Sequence, residues 1–502
     1  MSKKLFLGLI ILLGLLLRTW HLSDNPLGFF ADEADIGFSA YQLLTTGKVS
    51  GKNPSFYLPS FGIFRPSFSV FAATLPIAVF GLTEQATRLM PALFGTINLI
   101  FLYFLIKEAF NDQLTALFSV FLLAISPWHV HFSRSGFEYV YFPTLFTLGL
   151  YFLIKGVRLK NWFLPVGFIF LGLTFYTYHP AVIQTNLFLI LLFPFIIKKI
   201  GIKNFIWGLA FFLVMAIPLG VGVKNGRATG RFQQLFAIGG ERETLIQATT
   251  RSTTLYFKQF SPRFLFKQGD IDYPSWGVTR HAVRGRGELY WWQIPLLILG
   301  ILSLIKNRRK QNLAGIILSI WFFIYPFGNL FNIDSTPHAN RTIIGVIPFQ
   351  ILSALGLVYL IKLIKNSLFQ KILISVVVVV ILTSLRNYLQ EYFYKYPTYS
   401  SGYWGWQSGP REIIRFFKEN QDKYDDLIMT GSFNGADIFF KFYAPNGCDN
   451  CRLGDLNSIE SNRHQLFALK PEEISLPKQN IIIKKEIFYP NKETAFLIFE
   501  LK

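Results

Sequence analysis

About eleven apolar runs, each long enough to cross a bilayer as a helix, dominate this sequence and restrict what it can fold into. They lie near residues 5–20, 84–106, 114–128, 138–154, 162–178, 180–197, 204–221, 289–305, 312–331, 342–361 and 369–385. Hydrocarbon roughly 30 Å thick is spanned by about 20 apolar residues of helix. A chain in lipid must also satisfy its backbone polar groups internally, so an all-α polytopic membrane domain follows. Composition agrees: 16% of the 502 residues are charged, against about a quarter in soluble domains.

The formal charge of +20 would suggest nucleic acid in a soluble protein, but its placement argues against that. From Asn387 onward 14 Lys and Arg stand against 15 Asp and Glu, so the excess sits among the apolar runs. Basic residues between spans mark cytoplasmic loops. The apolar stretch 66–81, which contains Pro76, decides the topology. With Lys3 and Lys4 inside and 66–81 not crossing, every basic cluster stays inside. These are Lys107; Lys155, Arg158 and Lys160; Lys198, Lys199 and Lys203; Lys306, Arg308, Arg309 and Lys310; and Lys362, Lys365 and Lys371. Were 66–81 to cross, all of them from Lys107 onward would move outside. The stretch is therefore expected to lie along the outer interface. No small-x-small cleavage site follows the first apolar run, which reads as a retained helix.

This topology predicts a transmembrane domain over 1–386, with large outer loops at 21–83 and 222–288, and an extracytoplasmic domain over 387–502. The N-terminus is expected in the cytoplasm and the protein in the plasma membrane. Helical spacing over 34–44, together with 66–81, predicts two interfacial helices in the first outer loop. The tail reads as a small α/β unit, with a helix from Pro410 and strands at 426–430, 481–483 and 496–499. Cys448 and Cys451 form a lone Cys-x-x-Cys, which fits a local disulfide as well as two unremarkable thiols.

Several polar residues need explaining. Asp32-Glu33, with Asp35 close by, reads either as a cap for a helix starting near Ala34 or as a carboxylate base at the membrane surface. Arg65, Arg88, Arg134, Arg280, Arg284, Arg286 and Arg341, with His281 and His338, face outward against the charge bias. Some of them snorkel; a guanidinium cluster at membrane depth also suits a lipid-linked phosphate. Glu138 supplies a second carboxylate at the outer edge. His129 and His131 are a weak metal signal and read as interfacial polar residues.

Four stretches together resemble the GT-C membrane glycosyltransferases that use polyprenyl-phosphate sugars, the group containing protein O-mannosyltransferases and lipid A aminoarabinose transferases. They are Asp32-Glu33-Ala34; Arg65-Pro66-Ser67-Phe68 running to Arg88-Leu89-Met90-Pro91; Ser133-Arg134-x-x-x-Glu138; and Gly269-Asp270 through Arg280-His281 to Gly287-Glu288-Leu289-Tyr290. The resemblance implies a GT-C-like fold and an inverting transfer of one sugar to a protein, lipid or glycan acceptor. It implies Asp32 as catalytic base with Glu33 beside it, and Glu138 where relatives often carry Asp. It implies Arg65 at the lipid phosphate, for which Arg88, Arg134, Arg280, His281 and Arg341 are further candidates. Many relatives have Lys or His followed by Pro-Pro where this chain has Arg65-Pro66-Ser67. A monophosphate donor carries less charge than a diphosphate, so no metal or other cofactor is required, although a divalent metal is compatible. The rival classes are a flippase of lipid-linked glycans, which commonly shows repeats and midplane charges absent from this sequence, and a surface receptor, for which so many spans are excessive.

Overall fold

The protein is described here from a computed structural model, which covers residues 2–230, 243–270, 280–307, 312–330 and 336–502. Arg308, Arg309 and Lys310 of the expected inner cluster, and 231–242 and 271–279 of the second large loop, lie outside the described residues. A helix stands on each apolar run. In chain order they are α1 (Lys3–Thr19), α4 (Glu84–Phe110), α5 (Gln113–Ala124), α7 (Tyr141–Leu159), α8 (Phe163–Leu173), α9 (His179–Ile200), α10 (Ile202–Lys224), α12 (Gln293–Lys306), α13 (Asn312–Ile324), α14 (Val346–Leu363) and α15 (Ser367–Gln390). A further helix, α11, covers Leu245–Gln259.

Among the described residues, six helical segments are long and apolar enough to cross a membrane: α4, α7, α9, α10, Ile343–Leu363 and Ser367–Ser400. A seventh arises if α5 counts together with α6 (Pro127–Ser133), to which it joins at a 57° bend. The remaining runs form shorter helices than the expected count of eleven requires. Large apolar side chains stand exposed on these helices. The apolar window of Ser367–Ser400 has a mean hydropathy of 2.4 yet is only 11% buried, with Leu368, Phe369, Val379 and Leu382 open. Such a surface would be an aggregation patch in water. By contrast α14 is central, and Gly300 and Gly356 let it approach α12 closely: a side chain on either would strike the carbonyl of Leu352 or Leu296, as small residues do between membrane helices.

The segment between α1 and α4 holds α2 (Ala31–Thr46), an antiparallel hairpin of β1 (Tyr57–Ser60) and β2 (Ile63–Pro66), and α3 (Phe68–Phe80). Helix α2 starts three residues earlier than expected, at Ala31. Glu33 folds back to accept the Phe30 N–H at 3.1 Å and Gln407 accepts that of Ala31 at 3.2 Å, so two leading backbone donors have side-chain acceptors. Helix α3 has 13 residues, about 20 Å at 1.5 Å per residue, short of a crossing, and packs on α2 and α4.

Beyond α15, which continues past 386, come a π-helical turn (Glu391–Lys395), α16 (Tyr396–Ser400) and the small α/β unit. It contains α17 (Pro410–Asn420), α18 (Asp437–Tyr443) and a five-stranded sheet of order β4-β3-β5-β7-β6. Its strands are β3 (Asp426–Met429), β4 (Cys451–Leu453), β5 (Gln465–Leu469), β6 (Ile481–Phe488) and β7 (Thr494–Leu501). Pairing of β3 with β4 and β5 is parallel; that of β7 with β5 and β6 is antiparallel. Cys448 and Cys451 are joined by a disulfide. The unit docks on the membrane domain through α18, whose Phe442 ring lies 4.7 Å from that of Phe29, and through Glu84, which accepts from Tyr443 and Arg411.

Candidate active site

Two groups of charged residues separate on geometry. The first is saturated. Glu33 is fully buried and forms a bidentate pair with Arg88, both N–O distances being 2.8 Å. Its Oε1 also accepts the Gly136 N–H at 2.6 Å and its Oε2 that of Phe30, so both oxygens have two donors and the carboxylate's acceptor capacity is used. Arg88 spends its remaining N–H groups on the carbonyls of Leu22, Pro26 and Gly28, at 3.2, 2.9 and 2.6 Å. No donor is left for a phosphate. Arg134 is buried in the same manner, donating to the carbonyls of Leu17, Trp20 and Asn25 at the end of α1, and its guanidinium lies over Tyr392 and Phe393. These residues fasten the loops together.

The second group is open. Asp32, in the first turn of α2, keeps its side chain 38% exposed. Arg65 reaches it from β2 at 3.3 Å and reaches Asp35 at 2.9 Å, while Ser60 on β1 accepts a further hydrogen bond from the same guanidinium. The hairpin register explains the convergence: Ser60 pairs with Ile63 and Leu58 with Arg65, so both polar side chains end beside α2. Burial pulls the Arg65 guanidinium down, but Asp35 and Asp32, with Glu138 beyond them, outweigh it and hold its pKa above the ordinary value. Arg65 thus stays charged, and Glu138 belongs to the same electrostatic neighbourhood.

Arg280 packs next to the start of α2. Its guanidinium carbon stands 3.8 Å from the centroid of the Phe30 ring, directly before α2. Its carbonyl accepts from Tyr396 at 3.0 Å and contacts His131 Nε2 at 2.9 Å, which gives His131 a positioning role. His129 contacts Arg18 at 2.7 Å and Asn98 at 3.2 Å deep in the bundle. Arg341 is half-buried and donates to Asn329 at 3.2 Å. Tyr139, next to Glu138, packs its ring 5.1 Å from Tyr178 and 6.0 Å from His281, joining the Glu138 side of the site to the Arg280 side.

A third grouping escaped the sequence reading as a unit. Asp270, His281 and His338 are buried, and one donor atom from each lies within 4.8 Å of the others. This is the set in the chain's described residues that can hold a metal ion. Asp270 and His338 were each visible in the sequence, but their separation of 68 positions hid the contact. Ser60 was missed for a similar reason, since only the hairpin brings Ser60 and Arg65 to the helix that carries Asp32 and Asp35.

Comparisons with known proteins agree with this architecture. Residues 65–221 match the family described as Dolichyl-phosphate-mannose-protein mannosyltransferase. No curated protein sequence matches the chain. Among solved structures, ArnT from Cupriavidus metallidurans bound to undecaprenyl phosphate superposes with a TM-score of 0.55 at 13% identity, covering 99% of this chain and 97% of that one. The archaeal oligosaccharyltransferase AglB from Archaeoglobus fulgidus, in complex with an inhibitory peptide and a dolichol-phosphate, gives a TM-score of 0.52 at 13% identity; 88% of this chain covers 63% of that one. The chain therefore shares the fold of ArnT and AglB, and its residues 65–221 match the mannosyltransferase family model.

Proposed function

We propose that this protein is an inverting glycosyltransferase, moving a single sugar from a polyprenyl-phosphate donor to an acceptor at the outer face of the plasma membrane. The observation that carries the reading is the half-open Asp32 carboxylate, held against the buried, charged Arg65 and bordered by Arg280. Proton abstraction needs a carboxylate that is accessible and fixed in direction. Departure of a phosphate monoester needs cations already in place where its charge grows. In this reading Asp32 serves the first need and Arg280 the second, with Arg65 bridging to the base and Arg341, which the resemblance adds, as a further cation.

In this mechanism Asp32 takes the proton of an acceptor hydroxyl or amine as its oxygen or nitrogen bonds to the anomeric carbon. The bond from that carbon to the phosphate oxygen breaks on the opposite side of the ring, which inverts the configuration, and the polyprenyl phosphate leaves with one more negative charge. Glu138 orients the acceptor side, and Glu33 with Arg88 and Arg134 keeps the first loop rigid. The transferred group comes from lipid, so the site opens toward the bilayer. The proposal includes eleven crossings with a cytoplasmic N-terminus, α2 and α3 at the outer interface, and a C-terminal domain from 387 outside, as the basic loops require.

The test is to incubate membranes containing the protein with a panel of labelled polyprenyl-phosphate sugars and follow donor consumption. Consumption of one donor, with release of free polyprenyl phosphate, supports transfer. Movement of intact donor between leaflets without consumption would instead make the chain a flippase.

A further inference from the structure

We infer that Asp270, His281 and His338 form a binding site for one divalent transition-metal ion of the zinc class, clamping together the two segments that carry Arg280 and Arg341. The proposal is independent of the glycosyl transfer reading. One carboxylate oxygen and two imidazole nitrogens suit a borderline-soft ion, whereas magnesium and calcium prefer oxygen alone.

The distances favour an ion between the residues over hydrogen bonds among them. His338 Nδ1 stands 3.4 Å from Asp270 Oδ1 and His281 Nδ1 stands 3.7 Å from Asp270 Oδ2, both long for a charge-assisted hydrogen bond. Bonds of about 2.0–2.1 Å to a tetrahedral ion set neighbouring donor atoms roughly 3.4 Å apart. The donor atoms of the whole triad lie within 4.8 Å of one another, close to that spacing. Asp270 itself has no exposed surface, and its Oδ1 accepts no hydrogen bond from any described residue. An ionised oxygen left so in the interior is costly unless a cation answers it.

The surrounding bonds orient the carboxylate as outer partners of metal ligands do. Ala339 donates its N–H to Asp270 Oδ2 at 2.7 Å, and Glu288 accepts the Asp270 N–H at 2.9 Å. Three donors leave a fourth tetrahedral position open. Ligation by His281 Nδ1 requires its Nε2 to carry the proton. The Arg280 Nε–H that now points at that nitrogen across 3.3 Å must then turn away, so the ion releases Arg280 from His281.

The experiment uses the full-length protein in detergent, stripped by chelator and then equilibrated with Zn2+ or Co2+. Elemental analysis after removal of free ion is expected to find about one equivalent per chain, with Co2+ giving the intense visible absorption of a four-coordinate site. Asp270→Ala, His281→Ala and His338→Ala should each weaken binding at least about tenfold, and excess Mg2+ should not compete. His464→Ala, on the C-terminal domain, should leave binding unchanged. Because the wild-type titration stands alone, poor folding of a variant does not blunt the test. Wild-type protein that retains no stoichiometric Zn2+, or an His281→Ala/His338→Ala protein that retains it as tightly, overturns the inference.

Discussion

Replacing Glu33 by Ala should unfold the first loop long before it alters any chemistry. The change leaves the Arg88 guanidinium fully buried with no counter-charge, and removal of one partner from a buried ion pair costs about 3–5 kcal/mol. It also strands the Gly136 N–H, which Glu33 accepts at 2.6 Å, at about 1–3 kcal/mol; the Phe30 N–H loses a weaker bond. The combined loss is on the order of 5 kcal/mol, a large part of the stability of an ordinary domain. Asp32→Asn, by contrast, changes a part-exposed ion pair at 3.3 Å and should cost no more than about 1 kcal/mol. Thermal unfolding in one detergent, followed by loss of the monodisperse peak, compares the two variants directly. Glu33→Ala should fall by many degrees and Asp32→Asn by few. Substituting both partners, as Glu33→Leu with Arg88→Met, removes the unpaired charge but leaves the Gly136 N–H and the carbonyls of Leu22, Pro26 and Gly28 without partners, so it should not restore stability. If Glu33→Ala is as stable as wild type while transfer is abolished, Glu33 is a reacting group and the separation of brace from chemistry is mistaken.

Other outcomes follow from the same contacts. Arg280→Ala should raise KM for the lipid donor by about 10- to 100-fold, as expected for a charged hydrogen bond worth about 1.5–3 kcal/mol, and a kinetic titration of donor checks it. Cys448→Ser with Cys451→Ser opens a loop with a sequence separation of 3 and should cost about 2 kcal/mol in the C-terminal domain; amide exchange there should quicken while transfer persists. Asp426 gives that domain an acid-sensitive element. Burial pushes its carboxyl up, but hydrogen bonds from Gln465 and Arg452 and the charge of Arg463 outweigh it, so its pKa lies below the ordinary value. Its stabilisation is complete above the usual carboxylate pKa and is lost as pH falls through the folded value. Exchange protection of β3 should therefore drop in acid, and less so in Asp426→Asn.

The helices on the apolar runs were legible because lipid imposes a crude code: long apolar runs must be helices. Loop charge assigned the ambiguous stretch 66–81 to an interfacial helix, and a 13-residue helix stands there. In the tail, β3, β6 and β7 were visible as apolar runs, whereas β4, with three residues, and β5 offered too little periodicity. The site was legible only as a set of residue types. Arg88 and Arg65 look alike in sequence, yet one is spent on carbonyls and the other faces two carboxylates. Whether a guanidinium is saturated depends on backbone oxygens from distant segments, such as Leu22 and Gly28 around Arg88, which no local pattern encodes. Asp270 and His338 were separated for the same reason.

The most direct test of the central claim is the turnover of purified protein in liposomes charged with its polyprenyl-phosphate sugar, comparing wild type, Asp32→Asn and Asp32→Glu. The account predicts that Asp32→Asn lowers kcat by about 100-fold or more, as loss of a general base does, with the donor KM little changed, and that Asp32→Glu restores part of the rate. A folded, membrane-inserted Asp32→Asn protein that turns over at the wild-type rate would contradict it.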